Sequence, residues 1–151
     1  MRHSTTTGLL VLVGVLALAT ALGWWWQRRD GRIRPTAGAP AGPDTAPPPA
    51  LAALGVRTGV VTLVQFSSAR CAPCRATRRV LADVEARVDG VHLREVDAER
   101  HLDAVRELAV WRTPTVLVVD TTGRVVQRAT GVPDRDELVA ALRPLLVGAT
   151  R

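Results

Sequence analysis

Hydrophobic and polar positions divide the chain into regions with different patterns. Residues 8–26 are apolar or small and carry no charge, which is the length and character of a helix that crosses a bilayer. Residues 27–50 have no hydrophobic period and are rich in Pro, Gly and Ala, as a semi-stiff linker is. Over residues 51–147, short β-branched runs alternate with stretches of helical period. This pattern predicts one folded α/β domain, with short tails at 1–7 and 148–151.

Four strands and three helices are predicted within the α/β domain. The strands are expected at 60–66, 91–96, 114–119 and 124–130, and the helices at 72–88, 99–109 and from Asp134 onward. This order predicts a mixed four-stranded central sheet with helices on both faces. Both helical crossovers are expected to join parallel strands, and the last two strands to form a hairpin that turns at Gly123. Asp134 and Glu137 suit a carboxylate capping box, and Pro144 is expected to kink or end the last helix.

The uncharged run has two interpretations, a transmembrane helix and a cleaved signal peptide. Ala17-Leu18-Ala19 and Ala19-Thr20-Ala21 each have small residues where a cleavage site needs them, and Arg2 precedes the run. The anchor is favoured because the tryptophans at 24–26 suit the headgroup region, whereas a mature chain that begins there exposes apolar surface. Four arginines follow the run, at positions 28, 29, 32 and 34. By the positive-inside rule they predict that the domain stays in the cytoplasm.

Composition and charge narrow the classes of function. The 151 residues include 20 basic ones, all of them arginine, a bias typical of a GC-rich bacterial genome. The net charge of +6 is spread along the chain among acidic residues, and with one Phe and no Tyr there is little aromatic surface on which bases stack. A nucleic-acid partner is therefore not predicted.

The first predicted strand passes into the first predicted helix at a two-cysteine motif, Cys71-Ala72-Pro73-Cys74. Free N–H groups and the helix dipole stabilise an anion there, so Cys71 is expected to ionise more readily than a free thiol. Arg70 and Arg75 add positive charge nearby. A thiolate is the attacking species in disulfide exchange, and Cys74 is placed to close the ring and release the product. A fixed structural disulfide, a metal site and two inert thiols remain as the other interpretations.

Other residues carry weaker signals for chemistry. His92 and His101 lie outside the usual ligand spacing of zinc sites and are given no role, so neither a metal nor a cofactor is predicted. Trp111 is interpreted as a core residue rather than as part of a substrate groove. The arginines of the first predicted helix are interpreted as a solvated face, with an acidic partner surface as the alternative. They are Arg78, Arg79 and Arg87.

The α/β region resembles the thioredoxins in order and spacing over roughly residues 51–147. The matching features are the strand Leu63-Val64-Gln65-Phe66, the two-cysteine motif, the strand end Val96-Asp97, the strand start Thr113-Pro114-Thr115 and Gly131. The resemblance implies a thioredoxin-like fold, with Cys71 as the exposed nucleophile and Cys74 as the buried resolving thiol. It also implies a cis peptide bond before Pro114 that offers backbone to an extended substrate. The implied substrate groove consists of Arg70, Ala72, Pro73, Thr113 and Pro114.

Three features depart from the thioredoxin pattern. Arg70 stands where the family usually has Trp, and Gln65 stands where it has a buried acid that helps to deprotonate the second cysteine. Because an amide cannot take up a proton, resolution by Cys74 is expected to be slower. The segment before Val60 is too short for the family's additional strand and helix, which predicts a trimmed core.

The pattern predicts a membrane-tethered thiol–disulfide oxidoreductase that reduces protein or small-molecule disulfides with electrons from an upstream donor. Two alternatives stay open. One is a reductase dedicated to cytochrome or cofactor maturation, as similar tethered domains are. The other is a non-catalytic adaptor that holds a partner through the groove beside Thr113. Many tethered thioredoxin-like proteins face outward, which is opposite to the side that the arginine distribution predicts.

Overall fold

The computed structural model describes residues 2–36 and 48–147, which fall into two compact units. The first unit ends at residue 30 and contains one helix, α1 (Arg2–Arg29). The second unit begins at Gly31 and contains the strands and the other helices that the structure describes.

Helix α1 covers the apolar run at 8–26. Its side chains from Leu10 to Trp25 are all exposed, including Leu10 at 74% and Trp24 at 58%. None of the helices, as far as the structure describes them, combines the length and the apolar character that a bilayer crossing requires. The transmembrane helix therefore remains a prediction from sequence that the structure does not support.

Five strands form one mixed sheet, in place of the four that the pattern predicts. They are β1 (Arg34–Pro35), β2 (Val61–Ser67), β3 (Val91–Asp97), β4 (Thr115–Val119) and β5 (Val125–Thr130), in the order β1-β5-β4-β2-β3. Strands β2 and β3 are parallel, and the other pairings among the described strands are antiparallel. The predicted second parallel crossover is therefore wrong. Thr115 at the start of β4 pairs with Phe66 near the end of β2, so the chain re-enters the sheet at the end where β3 leaves it.

Residues 31–36 lie along the edge of the sheet, although the pattern assigns them to a linker. Two backbone hydrogen bonds hold them there, from Gly31 N to Thr130 O and from Thr36 N to Val126 O. A short helix, α2 (Pro49–Ala53), then precedes β2. A strand and a helix are thus present before β2 in shortened form, contrary to the expected trimming. Strand β1 forms through backbone pairing with β5, so the pattern of side chains along the sequence does not predict it.

Gly31 makes this edge pairing possible. Its φ is +91°, and an added Cβ would overlap the carbonyl oxygen of Val132. The substitution Gly31→Ala is therefore expected to detach residues 31–36 from β5. In the full chain, hydrogen exchange at the Thr36 N–H should quicken about tenfold or more, because that bond to Val126 opens locally.

Gly59→Ala is the matched control for this prediction. Gly59 has a φ of +90°, and no atom lies within 4 Å of its added Cβ. That substitution carries the cost of left-handed backbone, about 1–2 kcal/mol, without the overlap. Equal protection of the Thr36 N–H in both variants would show that the close approach at Gly31 does not matter.

Buried side chains form a layer on each face of the sheet, as the pattern predicts. One layer packs against α3 (Ala72–Arg87) and α5 (Arg135–Val147) and includes Val61, Leu63, Leu81, Val84, Val116, Val118, Leu138 and Leu142. The other involves α2 and α4 (Leu102–Glu107) and includes Leu51, Leu54, Val64, Phe66, Val96, Leu108, Leu117 and Val119. Successive residues of β2 alternate between the layers, which follows from the period of two in a strand.

The start of α5 differs in part from the predicted capping box. Asp134 Oδ1 accepts hydrogen bonds from the backbone N–H groups of Asp136 and Glu137, at 2.9 and 3.0 Å. The Glu137 side chain does not return to the helix start, however. Its Oε1 accepts a hydrogen bond from Ile33 N at 3.2 Å, because the edge segment brings that N–H within reach.

Two other helix predictions are also corrected. Helix α4 is shorter than the predicted 99–109, since Glu99 N donates to Asp97 Oδ1 at 2.9 Å and forms a turn before the helix. Pro144 lies inside α5, which continues to Val147, so the helix does not end at the proline. Ala140 and Pro144 are both exposed, so water can bond the carbonyl that the proline leaves free.

Candidate active site

The end of β2 leads directly into the two-cysteine motif. Cys71 N donates to Ser68 O at 3.1 Å, which turns the chain, and α3 begins at Ala72. Cys71 is the N-cap of α3, since its Sγ accepts a hydrogen bond from Cys74 N at 3.2 Å. Pro73 lies in the first turn, where its missing N–H removes no bond within the helix. The predicted position of Cys71 at a helix start is therefore confirmed.

Cys71 and Cys74 are joined by a disulfide, with the sulfurs 1.98 Å and the Cα atoms 5.3 Å apart. Cys71 is half-buried, whereas Cys74 is only 3% exposed. One sulfur can thus be reached from solvent while the other lies inside the domain. This arrangement suits disulfide exchange, in which one sulfur forms a mixed disulfide and a second sulfur resolves it.

An open depression of about 430 Å³ lies beside the disulfide. Its lining includes Ser67, Cys71, Arg75, Arg78 and Glu95. Arg78 Nε lies 3.4 Å from Glu95 Oε2, and Ser67 Oγ donates to Glu95 Oε1 at 3.2 Å. Arg75 is exposed and has no ion pair among the described residues. Its charge and the helix start both favour an anion at Cys71.

The residues of the predicted groove come from the cysteine loop and from the segment before β4. Arg70, Ala72 and Pro73 flank the cysteines and are exposed. Thr113 is half-buried, and its Oγ1 lies 3.3 Å from Ser68 Oγ. This contact brings the segment before β4 against the loop that carries Cys71.

The peptide bond between Thr113 and Pro114 is cis, as the resemblance implies. Pro114 is buried, and its carbonyl oxygen accepts a hydrogen bond from Gly131 N at 2.9 Å. The loop after β5 therefore meets the start of β4 at the same end of the sheet as the cysteines.

Trp111 is 91% exposed, so its interpretation as a core residue is wrong. Leu108 and Val110 fill the buried layer instead, at 5% and 6% exposure. Val110 is buried and the next residue, Trp111, is exposed, so the change from core to surface occurs between these two positions. Trp111 therefore lies at the surface, two residues before Thr113 along the chain.

The Gln65 side chain contacts the backbone of the second cysteine. It is fully buried on β2, and its Nε2 donates to Cys74 O at 2.9 Å. Its Oε1 has no hydrogen-bond partner among the described residues. The sequence marks Gln65 as a departure from the family, but the bond to Cys74 O appears only in the structure.

Arg128 is a residue of this region that the sequence pattern does not indicate. Its Nη1 and Nη2 donate to the carbonyl oxygens of Ala109 and Leu108, at 2.7 and 2.5 Å. Partial burial lowers the pKa of the Arg128 guanidinium. These bonds tie β5 to the chain that leads to Thr113. The partners lie 19 and 20 residues away along the chain, beyond the reach of any local pattern.

The histidines lie away from the disulfide contacts. His92 is exposed on β3, and His101 precedes α4 with its Nδ1 2.9 Å from Asp97 O. Within the part of the chain that the structure describes, no three His, Cys, Asp or Glu side chains are grouped to hold a metal ion.

A family model for a thioredoxin-like domain matches residues 55–145, which is more than half of the chain. The chain belongs to the thioredoxin-like family. The match to the thioredoxin-like domain includes both cysteines and the segment Thr113-Pro114.

Solved thioredoxin structures share the thioredoxin-like fold of this chain. Thioredoxin from Fasciola hepatica is 22% identical with a TM-score of 0.51, covering 58% of this chain and 83% of that one. A thioredoxin from Nicotiana alata is 23% identical with a TM-score of 0.52, covering 64% and 80%. A mutant thioredoxin from Halobacterium salinarum is 21% identical with a TM-score of 0.51, covering 56% and 74%. These likenesses show the fold alone, and a search of curated proteins found no match.

Proposed function

We propose that this thioredoxin-like protein is a thiol–disulfide oxidoreductase that reduces disulfides in proteins or small molecules. The observation that carries the proposal is the Cys71–Cys74 pair at the start of α3, within disulfide distance. The difference in exposure between the two sulfurs supports separate roles for them.

The reaction proceeds by two exchange steps. In the reduced protein the Cys71 thiolate attacks one sulfur of the substrate disulfide, forms a mixed disulfide and releases one substrate thiolate. Cys74 then loses its proton and attacks Cys71 Sγ, which releases the second substrate thiolate. The substrate gains two electrons and the motif becomes the disulfide that the structure shows. A dithiol donor restores the reduced form by the reverse exchange.

The surface beside the motif suits an extended substrate segment. The contact between Thr113 Oγ1 and Ser68 Oγ holds the start of β4 against the cysteine loop. Trp111, two residues before Thr113 along the chain, offers exposed aromatic surface. Substrate backbone is therefore expected to lie along Thr113 and Pro114, as the resemblance implies.

Reduction of insulin tests the proposed activity. The full chain, reduced and freed of excess reductant, should reduce about one insulin disulfide for each motif that becomes oxidised. Cys71→Ser should lower the rate to that of the reaction without protein, because the buried Cys74 cannot replace the outer thiolate. A Cys71→Ser variant with the rate of the natural chain would refute the proposal. A chain that binds partners normally but exchanges no disulfide would favour the adaptor alternative.

We also propose that residues 8–26 tether the domain to a membrane, with the domain on the cytoplasmic side. The length of the run and its lack of charge support the tether, since a bilayer crossing takes about 20 mainly apolar residues. The arginines that follow the run support the cytoplasmic side.

Extraction of membranes with alkaline carbonate tests the tether. The full chain should stay in the membrane pellet, and Leu16→Arg in the middle of the run should move much of it to the supernatant. Leu102→Arg is the control, because Leu102 is 53% exposed on α4. Recovery of the natural chain in the supernatant would contradict the tether. A reporter fused to the C-terminus assigns the side.

A further inference from the structure

Gln65 has one satisfied and one unsatisfied polar atom beside the inner cysteine. Its Nε2 bonds Cys74 O at 2.9 Å, while its Oε1 is buried without a partner among the described residues. Gln65 and Cys74 are 0% and 3% exposed, so solvent reaches neither side chain freely. A buried amide oxygen without a donor is unfavourable, and native structures rarely keep one without a cause.

The oxidation state of the motif supplies such a cause. In the structure Cys74 Sγ is bonded to Cys71 Sγ and carries no hydrogen. Opening the disulfide by two electrons and two protons places an S–H donor on Cys74 in a buried position. The side-chain amide of Gln65 is held by the hydrogen bond from its Nε2 to Cys74 O. The unpartnered Oε1 belongs to the same planar amide group.

We propose that Gln65 is a positioning residue for the resolving thiol, whose Oε1 accepts the Cys74 S–H hydrogen bond whenever the disulfide is open. The inference rests on the exchange function proposed above. The hydrogen bond is absent in the disulfide form and present in the dithiol and mixed-disulfide forms. Gln65 therefore stabilises the reduced motif relative to the oxidised one and holds Cys74 in its neutral, unreactive state.

Two consequences follow for the chemistry. Removing the amide oxygen relieves the disulfide form of an unsatisfied atom and deprives the dithiol form of a hydrogen bond, so oxidation becomes more favourable. The amide also cannot take the thiol proton, which must leave to solvent before Cys74 attacks Cys71. Resolution of the mixed disulfide should thus quicken steadily with pH until the Cys74 thiol is ionised.

Equilibration with glutathione redox buffers tests the first consequence on the full chain. Gln65→Leu should shift the equilibrium about tenfold toward the Cys71–Cys74 disulfide. This shift corresponds to a reduction potential about 30 mV more negative. Gln127→Leu is the matched control, because the Oε1 of Gln127 is also buried without a partner among the described residues but lies on β5. Its equilibrium should stay within about twofold of that of the natural chain.

Gln65→Glu provides a second measurement if the leucine variant does not fold. A carboxylate at this position accepts the Cys74 proton, so resolution of the mixed disulfide should gain about tenfold as the pH passes through the pKa of the new carboxyl. Gln127→Glu should keep the natural pH profile.

The outcomes separate the inference from the function on which it rests. A natural chain that does not exchange with glutathione at all refutes the proposed function together with the inference. A natural chain that exchanges, with Gln65→Leu equal to Gln127→Leu, overturns the role of Gln65 alone. An unchanged pH profile in Gln65→Glu overturns it as well.

Discussion

Replacing Cys74 with serine is expected to convert exchange into a trap. Cys71 can still attack a substrate disulfide, but no second thiol remains to break the mixed disulfide that forms. The adduct should accumulate until nearly all the protein carries substrate, whereas the natural chain shows little of it. Mass spectrometry without reductant measures the adduct as the mass of the protein plus one substrate thiol.

Cys71→Ser is the matched control, because the same atom is replaced at the other end of the disulfide. Cys74 is 3% exposed, so its thiol should form almost no adduct with the same substrate. If Cys71→Ser traps substrate as well as Cys74→Ser does, the two sulfurs have no separate roles. The division into outer nucleophile and inner resolving thiol would then be wrong.

Phe66→Ala is expected to cause the largest loss of stability. Phe66 is fully buried on β2, one residue before the strand ends, and packs with the layer formed by α2 and α4. Truncating a buried phenyl ring leaves a cavity and lowers the free energy of unfolding by about 3–5 kcal/mol. Chemical denaturation of the full chain measures this as a lower midpoint with a similar slope.

Trp111→Ala is the control, because it removes an even larger aromatic side chain from an exposed position. Because Trp111 is 91% exposed, its removal should change the free energy of unfolding by no more than about 0.5 kcal/mol. A loss as large as that of Phe66→Ala would place Trp111 in packing contacts that the structure does not have. A higher KM for insulin with unchanged stability would assign Trp111 to substrate binding.

The order of the elements was predictable because their signals are local. The β-branched run of β2, the helical spacing in α3 and the turn at Gly123 each lie within a few residues, and the structure places all three close to the predicted bounds. The two-cysteine motif was predictable for the same reason, since a helix start is defined by its own first turn. Its resemblance to thioredoxins added the cis bond before Pro114, which residue spacing alone does not indicate.

The errors arose where distant segments meet. Strand β1 exists because backbone groups of residues 31–36 pair with β5, about a hundred residues later. The same contact draws the Glu137 side chain to Ile33 and away from its expected capping bond. Trp111 has a large aromatic side chain of the kind that cores contain. Its exposure depends on where α4 ends and on how the chain enters β4.

Local chemistry along the chain was enough to specify an α/β domain with a two-cysteine motif at a strand-to-helix junction. Tertiary packing decided the antiparallel direction of β4, the edge strand, the position of Arg128 and the contact between Gln65 and Cys74. The first set depends on residues that are neighbours in sequence, whose spacing and backbone preferences act over one or two turns. The second depends on groups brought together only when the two layers close on the sheet, so no single stretch of sequence contains it.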